Sequence, residues 1–269
     1  HPKIVKILYN NKWFGDKTGP GYFKMIRHQD GTKELKELDF NTYEYKPVEK
    51  PKFKALEASK EIDDLKKRIK FLVNFDDRSG EFYRASFYDL FKYCSHRIPE
   101  ISDELYRIDQ AVSAGFGWEL GPFETWDAVG VRETVIKMEA AGETAAKWVH
   151  EMLAAGHESF YKVDGGKKLY YDIPSKSFVE IPGIEDFIVL DTLEAAGKKI
   201  WGNAGASVYD MGDEVIGLEF HSKMNSMGQE VIEGINTAIS MAEKSYKGLV
   251  IGNDGGNFSA GANLAMLYM

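Results

Sequence analysis

Apolar residues recur every three or four positions through most of residues 59–155, a spacing that predicts a run of amphipathic helices. DDLKKRIKFLVNF, GEFYRASFYDLFKYC, SDELYRIDQAVSA and VRETVIKMEAAG each carry it. Pro99 separates two of these helices, and Ser102, followed by Asp103 and Glu104, is the expected start of the later one. The pattern changes on either side. Ile4, Val5, Ile7 and Leu8 give residues 2–12 one apolar side, as in a short helix. WFGDKTGPGYFK reads as a Gly-rich turn entering a strand, and YFKMIR and KELKELDF around HQDGT read as a hairpin. Residues 46–56, with two prolines and four lysines, read as an exposed linker. Residues 158–181 return to strands in SFYKVD, KKLYYD and SFVEI, with a boundary at IPGIED, residues 181–186. Beyond it the text is α/β: a strand pair around SVYDMGDEVIGLEF, a helix near 228–244, the strand GLVIGN, a Gly-rich turn, and a helix beginning near Ala262.

Composition narrows the class. The 269 residues are 43% hydrophobic and 13% aromatic, enough for packed cores, and global disorder is not expected. The net charge of −8 argues against nucleic acid as a partner. The single cysteine, Cys94, rules out a disulfide framework and a thiolate cluster and suits the cytoplasm. No apolar run approaches the roughly 20 residues of a membrane span, and no signal peptide is visible. The sequence starts at His1 and stops in the apolar ANLAMLYM, so it is expected to be a piece of something longer.

Residues 115–121 pose the sharpest chemical question. Gly115-x-Gly117-x-x-x-Gly121 comes close to a dinucleotide fingerprint, but that motif follows a strand and opens a helix. Here it follows SDELYRIDQAVSA and precedes Pro122, which suits the first turn of a helix, so the glycines are expected to punctuate a helix–turn–helix join. Glu124 and Asp127, one turn apart, are expected in capping and surface roles. Asp76, Asp77 and Arg78 read as a solvated cap, and His96 and Arg97 as a dipole-favoured helix end. Phe82, Tyr83, Phe87, Tyr88, Phe91 and Tyr93 follow helical spacing and read as core or interface. None of the six histidines falls in a metal-binding pattern, so no metal site is expected.

Three stretches resemble known families. IDQAVSAGFGWELGPFETWDAVGV resembles the C-terminal helical domain of 3-hydroxyacyl-CoA dehydrogenases, and PKIVKILYNNKWFGDKTGPGYFK resembles the end of that same domain type. An ending therefore precedes a whole copy. An internal repeat supports this: Val149 matches Val5, Met152 matches Leu8, and Phe160-Tyr161-Lys162 matches Tyr22-Phe23-Lys24. The second copy lacks GDKTGPG and looks degenerate. LVIGNDGGNFSAGANLAML is similar to the crotonase (enoyl-CoA hydratase/isomerase) signature, and LEFHSKMNSMG resembles the segment before that family's first long helix.

The order is that of fused 3-hydroxyacyl-CoA dehydrogenase/enoyl-CoA hydratase enzymes of fatty-acid β-oxidation. The resemblance implies a multi-domain chain: a mainly α-helical dehydrogenase C-terminal-like domain with small β hairpins, followed by a truncated α/β crotonase-like segment. Residues 1–45 would be the tail of a first copy, 46–58 a linker, 59–183 the second copy acting as a packing partner, and 184–269 an incomplete crotonase domain. The crotonase problem is negative charge developing on a thioester oxygen. A backbone N–H aimed at that oxygen is often worth about 3 kcal/mol. Gly261 relieves the turn, and Ala262 at a helix start would present the N–H. By resemblance Ala262 is an oxyanion donor and Ala260 a backbone contact to the adenine of coenzyme A. Ser222, Lys223, Met224, Gly261, Asn263 and Leu264 lie along the coenzyme A path. Asn263 replaces the usual Asp, which puts any carboxylate role there in doubt. The second donor, the catalytic glutamates and the NAD-binding Rossmann domain are expected outside this chain, which by itself binds no NAD and lacks a full catalytic set. A homo-oligomer is a further expectation. The alternative function is a non-enzymatic interaction scaffold built from the same domains.

Overall fold

The computed structural model describes residues 2–49, 51–164, 166–184, 187–253 and 257–263. The chain divides into two compact units, residues 1–57 and 58–269. In the first, helix α1 (Lys3–Asn10) precedes an antiparallel three-stranded sheet in the order β1 (Phe23–Arg27), β2 (Lys33–Leu38), β3 (Tyr45–Pro47). The turn between α1 and β1 is tied by Thr18, whose hydroxyl accepts the Phe14 N–H at 2.9 Å. Residues 46–58 are more than extended linker: Lys46 and Pro47 pair with β2, and α2 (Lys54–Ser59) follows, with Ala55 fully buried. Lys46 finds carboxylates in Glu37 and Asp39, so its charge does not require an open segment.

The second unit opens with helices α3 (Leu65–Asn74), α4 (Arg78–His96), α5 (Leu105–Phe116), α6 (Pro122–Val129), α7 (Val131–Ala140) and α8 (Lys147–Ala154). Carboxylates start two of them: Asp64 accepts the Lys67 N–H at 2.8 Å, and Asp77 the Gly80 N–H at 2.9 Å. Ser102 does not cap α5. Its hydroxyl bonds within a turn to Glu104, and Glu104 takes the capping position without a side-chain bond. His96 closes α4, its Nδ1 2.9 Å from the Lys92 carbonyl oxygen. Along α4, Phe91 is fully buried, Tyr88 nearly so, and Phe82 and Tyr93 stand exposed. Strands β4 (Tyr161–Asp164), β5 (Lys167–Asp172) and β6 (Ser177–Glu180) form a second antiparallel sheet against this body. The shared core centres on Trp126, whose ring stacks on Phe91 at 4.9 Å and meets Phe160 at 5.1 Å.

A separate core follows. Helix α9 (Leu190–Ala195) leads to strands β7 (Lys199–Gly202), β8 (Ala206–Gly212) and β9 (Val215–Phe220), then α10 (Gln229–Ser245) and β10 (Gly248–Ile251). The sheet order is β10-β9-β8-β7. β7, β8 and β9 are antiparallel neighbours, whereas β9 and β10 are parallel with α10 as the crossover. Val231 and Ala238 of α10 pack on Ala206, Val208, Ile216 and Leu218. The strand pair, helix and final strand lie where the periodicity puts them. α9 and β7 add to that reading. The described structure is thus mixed helix and sheet with small sheets, and none of its helices is long and apolar enough to cross a membrane.

Candidate functional site

The first candidate is a loop cluster at the carboxyl ends of the parallel strands β9 and β10, where open α/β sheets present ligand-binding loops. Residues 221–228 leave β9, and residues 252–253 and 257–263 come after β10. Met224 and Asn225 both adopt left-handed backbone, φ 57° and 50°. The turn brings the Met224 carbonyl to the Ala260 N–H at 3.1 Å and the Asn225 carbonyl to the Ser259 hydroxyl at 2.7 Å. Asn225 Nδ2 donates to the Asn257 carbonyl at 3.0 Å. Below them Asn253 Oδ1 accepts the Phe220 N–H at 2.7 Å, and its Nδ2 donates to the Phe258 carbonyl.

Met227 then forms an isolated parallel bridge with Ala262. Its N–H donates to the Gly261 carbonyl at 2.9 Å, and its carbonyl accepts the Asn263 N–H at 3.1 Å. In such a bridge the flanking residues make the bonds, so the N–H of Ala262 itself points away from Met227. Ala262 is exposed, and its N–H has no acceptor among the described residues. Gly261 has φ 91°, a left-handed conformation that strains other residues. Ser222, Lys223, Met224, Ala260, Gly261, Ala262 and Asn263 therefore share one cluster, with Lys223 and Met224 exposed. The helix expected near Ala262 does not begin there, since Ala262 lies in the bridge and Asn263 is not helical; Leu264 lies outside the described residues. Asn225, Asn253 and Ser259, which lace the cluster together, are absent from the sequence-based set. Side-chain amides and hydroxyls in Gly-rich loops were the available signal.

The second candidate is a pair of desolvated carboxyls, Asp109 buried and Asp127 half-buried. Asp109 accepts the Phe123 and Glu124 N–H groups at 2.8 and 3.0 Å and the Tyr161 hydroxyl at 2.9 Å. Asp127 accepts the Phe160 and Tyr161 N–H groups at 2.8 and 2.9 Å. Burial pushes both carboxyls up to about 7, against the pull of those backbone bonds. Asp127 lines a cleft of about 600 Å³ together with Lys66, Glu124, Tyr161 and Lys168, and Asp109 reaches the cleft wall only through the Tyr161 hydroxyl. Shifted acids beside a cleft ordinarily suggest catalysis. Here each carboxylate oxygen is engaged by a main-chain N–H, so the pair fastens α6 and β4 instead.

Glu124 does cap, accepting the Gly121 N–H at 3.0 Å, and it also meets Lys168 at 2.5 Å. Asp127, half-buried, does more than face solvent: it accepts the Phe160 and Tyr161 N–H groups where β4 arrives from outside the local sequence. At residues 115–121, α5 ends on Gly117 with φ 67° and α6 begins after Gly121 with Pro122 at its first turn. A Cβ on Gly121 would lie 2.3 Å from the Asp109 Cβ, so close helix packing accounts for that glycine. Helix α5, not a strand, leads into the turn, which is the helix–turn–helix join expected. Cys94 is buried, and its thiol is pushed up to about 12, which makes it unreactive. Among the described residues no three histidine, cysteine or acidic side chains could share a metal ion.

Comparison with known proteins adds likeness along the whole chain. It is 40% identical over 268 residues, 100% of its length, to a Bacillus subtilis (strain 168) protein named probable 3-hydroxyacyl-CoA dehydrogenase. It is 27% identical over 98% of its length to a Rickettsia felis protein named putative fatty acid oxidation complex trifunctional enzyme. A Rickettsia prowazekii protein of the same name is 22% identical over 98% of the chain. The chain spans about a third of the length of these curated relatives. No protein-family model matches it, and no solved structure is a significant match.

Proposed function

We propose that this chain belongs to an enzyme of fatty-acid oxidation that dehydrogenates 3-hydroxyacyl-CoA, and that residues 184–263 contribute to a crotonase-like acyl-CoA site where enoyl-CoA is hydrated. The observation that carries the reading is likeness to the Bacillus subtilis protein over 100% of the chain. Residues 59–183 serve as a packing domain, consistent with acids engaged by backbone rather than left free for chemistry. NAD is bound by parts of the enzyme outside these residues, since residues 115–121 join helix to helix and offer no strand–turn–helix cradle.

At the loop cluster, the Ala262 N–H stabilises the charge that develops on the thioester oxygen when an enolate forms. The Met227 bridge fixes the direction of that N–H before substrate arrives, which is what makes such a donor effective. Lys223, exposed on the adjoining turn, faces the anionic phosphates of coenzyme A, and the backbone at Ala260 meets the adenine. A second donor comes from elsewhere in the enzyme. The bridge bonds belong to Met227, Gly261 and Asn263, so proline at 262 removes the donor without removing a bridge bond. In the complete enzyme Ala262→Pro is expected to lose on the order of 100-fold in enoyl-CoA hydration. Ala262→Ser, which keeps the N–H, is expected to stay within a few-fold of the parent, and dehydrogenase turnover should persist in both. Hydration near the parental rate in a folded Ala262→Pro enzyme would reject the donor assignment.

A further inference from the structure

Residues 3–47 and 147–180 repeat one arrangement. Each begins with a helix of 8 residues. Each helix is followed by a left-handed residue, Lys12 with φ 57° or Gly156 with φ 89°. The next residue donates back into the helix: Trp13 N–H to the Leu8 carbonyl at 2.9 Å, His157 N–H to the Met152 carbonyl at 3.1 Å. Its ring then lies against the third strand, Trp13 on Tyr45 at 5.2 Å and His157 on Phe178 at 5.3 Å. The sheets agree in register, since Leu38 pairs with Tyr45 and Tyr171 with Phe178. Leu38 N–H donates to the Tyr22 carbonyl and Tyr171 N–H to the Phe160 carbonyl, both at 2.8 Å. These equivalences equate Val5 with Val149, Tyr9 with Leu153, Tyr22 with Phe160 and Phe23 with Tyr161.

The two copies differ in what covers them. Val149 and Phe160 are fully buried and Leu153 is 7% exposed, whereas Val5, Tyr9 and Tyr22 are 40%, 71% and 46% exposed. The Phe160 and Tyr161 N–H groups end on Asp127. The Tyr22 and Phe23 N–H groups meet no acceptor among the described residues. Phe23 faces Glu37 in a pair that makes no mutual hydrogen bonds, so its N–H points off the outer edge of β1. In the second copy the cover is the α4–α6 body, and its Asp127 carboxylate takes both N–H groups.

We propose that Val5, Tyr9, Tyr22 and Phe23 dock onto another helical body of the α4–α6 kind, and that a carboxylate there, placed as Asp127 is, receives the Tyr22 and Phe23 N–H groups. The occupant is carried by the portion of the enzyme outside these residues, an inference that rests on the reading of a larger acyl-CoA enzyme; the relatives, of which this chain covers 33% or less, leave room for it. A second copy of this chain is a poor occupant, because its own helical body is already filled by β4–β6. Phe23 lacks the hydroxyl with which Tyr161 reaches Asp109, so the docking requires one carboxylate rather than two.

Amide hydrogen exchange tests this in the complete protein and in the 269-residue chain. Phe160 and Tyr161 should be protected in both. Tyr22 and Phe23 should exchange roughly 100-fold or more slowly in the complete protein than in the chain alone. A photo-crosslinking phenylalanine derivative placed at position 22 should attach to a helical segment outside these residues. Equal, unprotected exchange at 22 and 23 in both samples, attachment to a second copy of residues 58–269, or a complete protein with no residues beyond these would each overturn the docking. Unprotected amides in a protein that turns over 3-hydroxyacyl-CoA would overturn the docking and leave the enzymatic reading standing. Protected amides without turnover would do the reverse.

Discussion

Asp109→Ala lowers the unfolding free energy by about 3–5 kcal/mol, more than any surface change in α5. The carboxylate receives three donors, the Phe123 and Glu124 N–H groups and the Tyr161 hydroxyl. Alanine leaves these donors without their acceptor at a position only 3% exposed, and each stranded donor costs about 1–3 kcal/mol. Relief of a desolvated charge offsets part of that sum, which sets the range. The same desolvation gives a pH signature. The folded carboxyl titrates near 7, above the ordinary aspartate value of about 3.9. A folded pKa raised in this way contributes stability that is fully present below about pH 4 and lost as pH rises through about 7. Stability of the parent should therefore fall between pH 5 and pH 8, and Asp109→Ala should flatten its share of that slope. Urea unfolding followed by tryptophan fluorescence at both pH values reads both effects. A loss under about 1 kcal/mol with an unchanged pH slope would show that the buried carboxyl does not hold α6 and β4 together.

Trp126→Ala should cost a further independent measure of the same core, about 3–5 kcal/mol. Its ring is fully buried between Phe91 and Phe160, with the Phe91 ring nearly parallel at 4°. Trp126→Phe should be far milder, about 1–2 kcal/mol, although it also removes volume. The indole Nε1 has no hydrogen-bond partner among the described residues, so phenylalanine discards a stranded donor as it opens a small gap. The ratio of the two variants is the informative quantity. Equal losses would mean that the indole N–H has a partner and that the polar atom, not the packing, dominates at this position.

The helices and strands were legible wherever one face of an element meets the core, because burial then imposes its period on the sequence. The spacing of Phe87, Phe91 and Cys94 in α4 is such a case. Local chemistry was legible too: Pro122 after Gly121 marked the start of α6, and Glu124 was read as its cap. Asp127 was misread because its partners are the N–H groups of Phe160 and Tyr161, on a strand that reaches it only in the folded state. A signal was nevertheless present. Asp127 stands four residues after Phe123, and Asp109 four after Leu105, each on the apolar face of its helix, where an acid needs buried donors. Strand β7 partly buries only Trp201, so no alternating face marks it, and helix α9 spans less than two turns. At the loop cluster, the sequence pointed to both segments through their resemblance to one family. The bridge between Met227 and Ala262 is a property of the fold, since nothing in either segment encodes the other's position.

The central claim is that these residues belong to an enzyme that oxidises 3-hydroxyacyl-CoA. Its most direct test is steady-state turnover of the complete purified protein, with NADH absorbance followed during incubation with NAD and a series of 3-hydroxyacyl-CoA substrates. Saturable NADH formation that requires both the thioester and NAD is the expected result. A folded complete protein that forms no NADH with any chain length of substrate would contradict it.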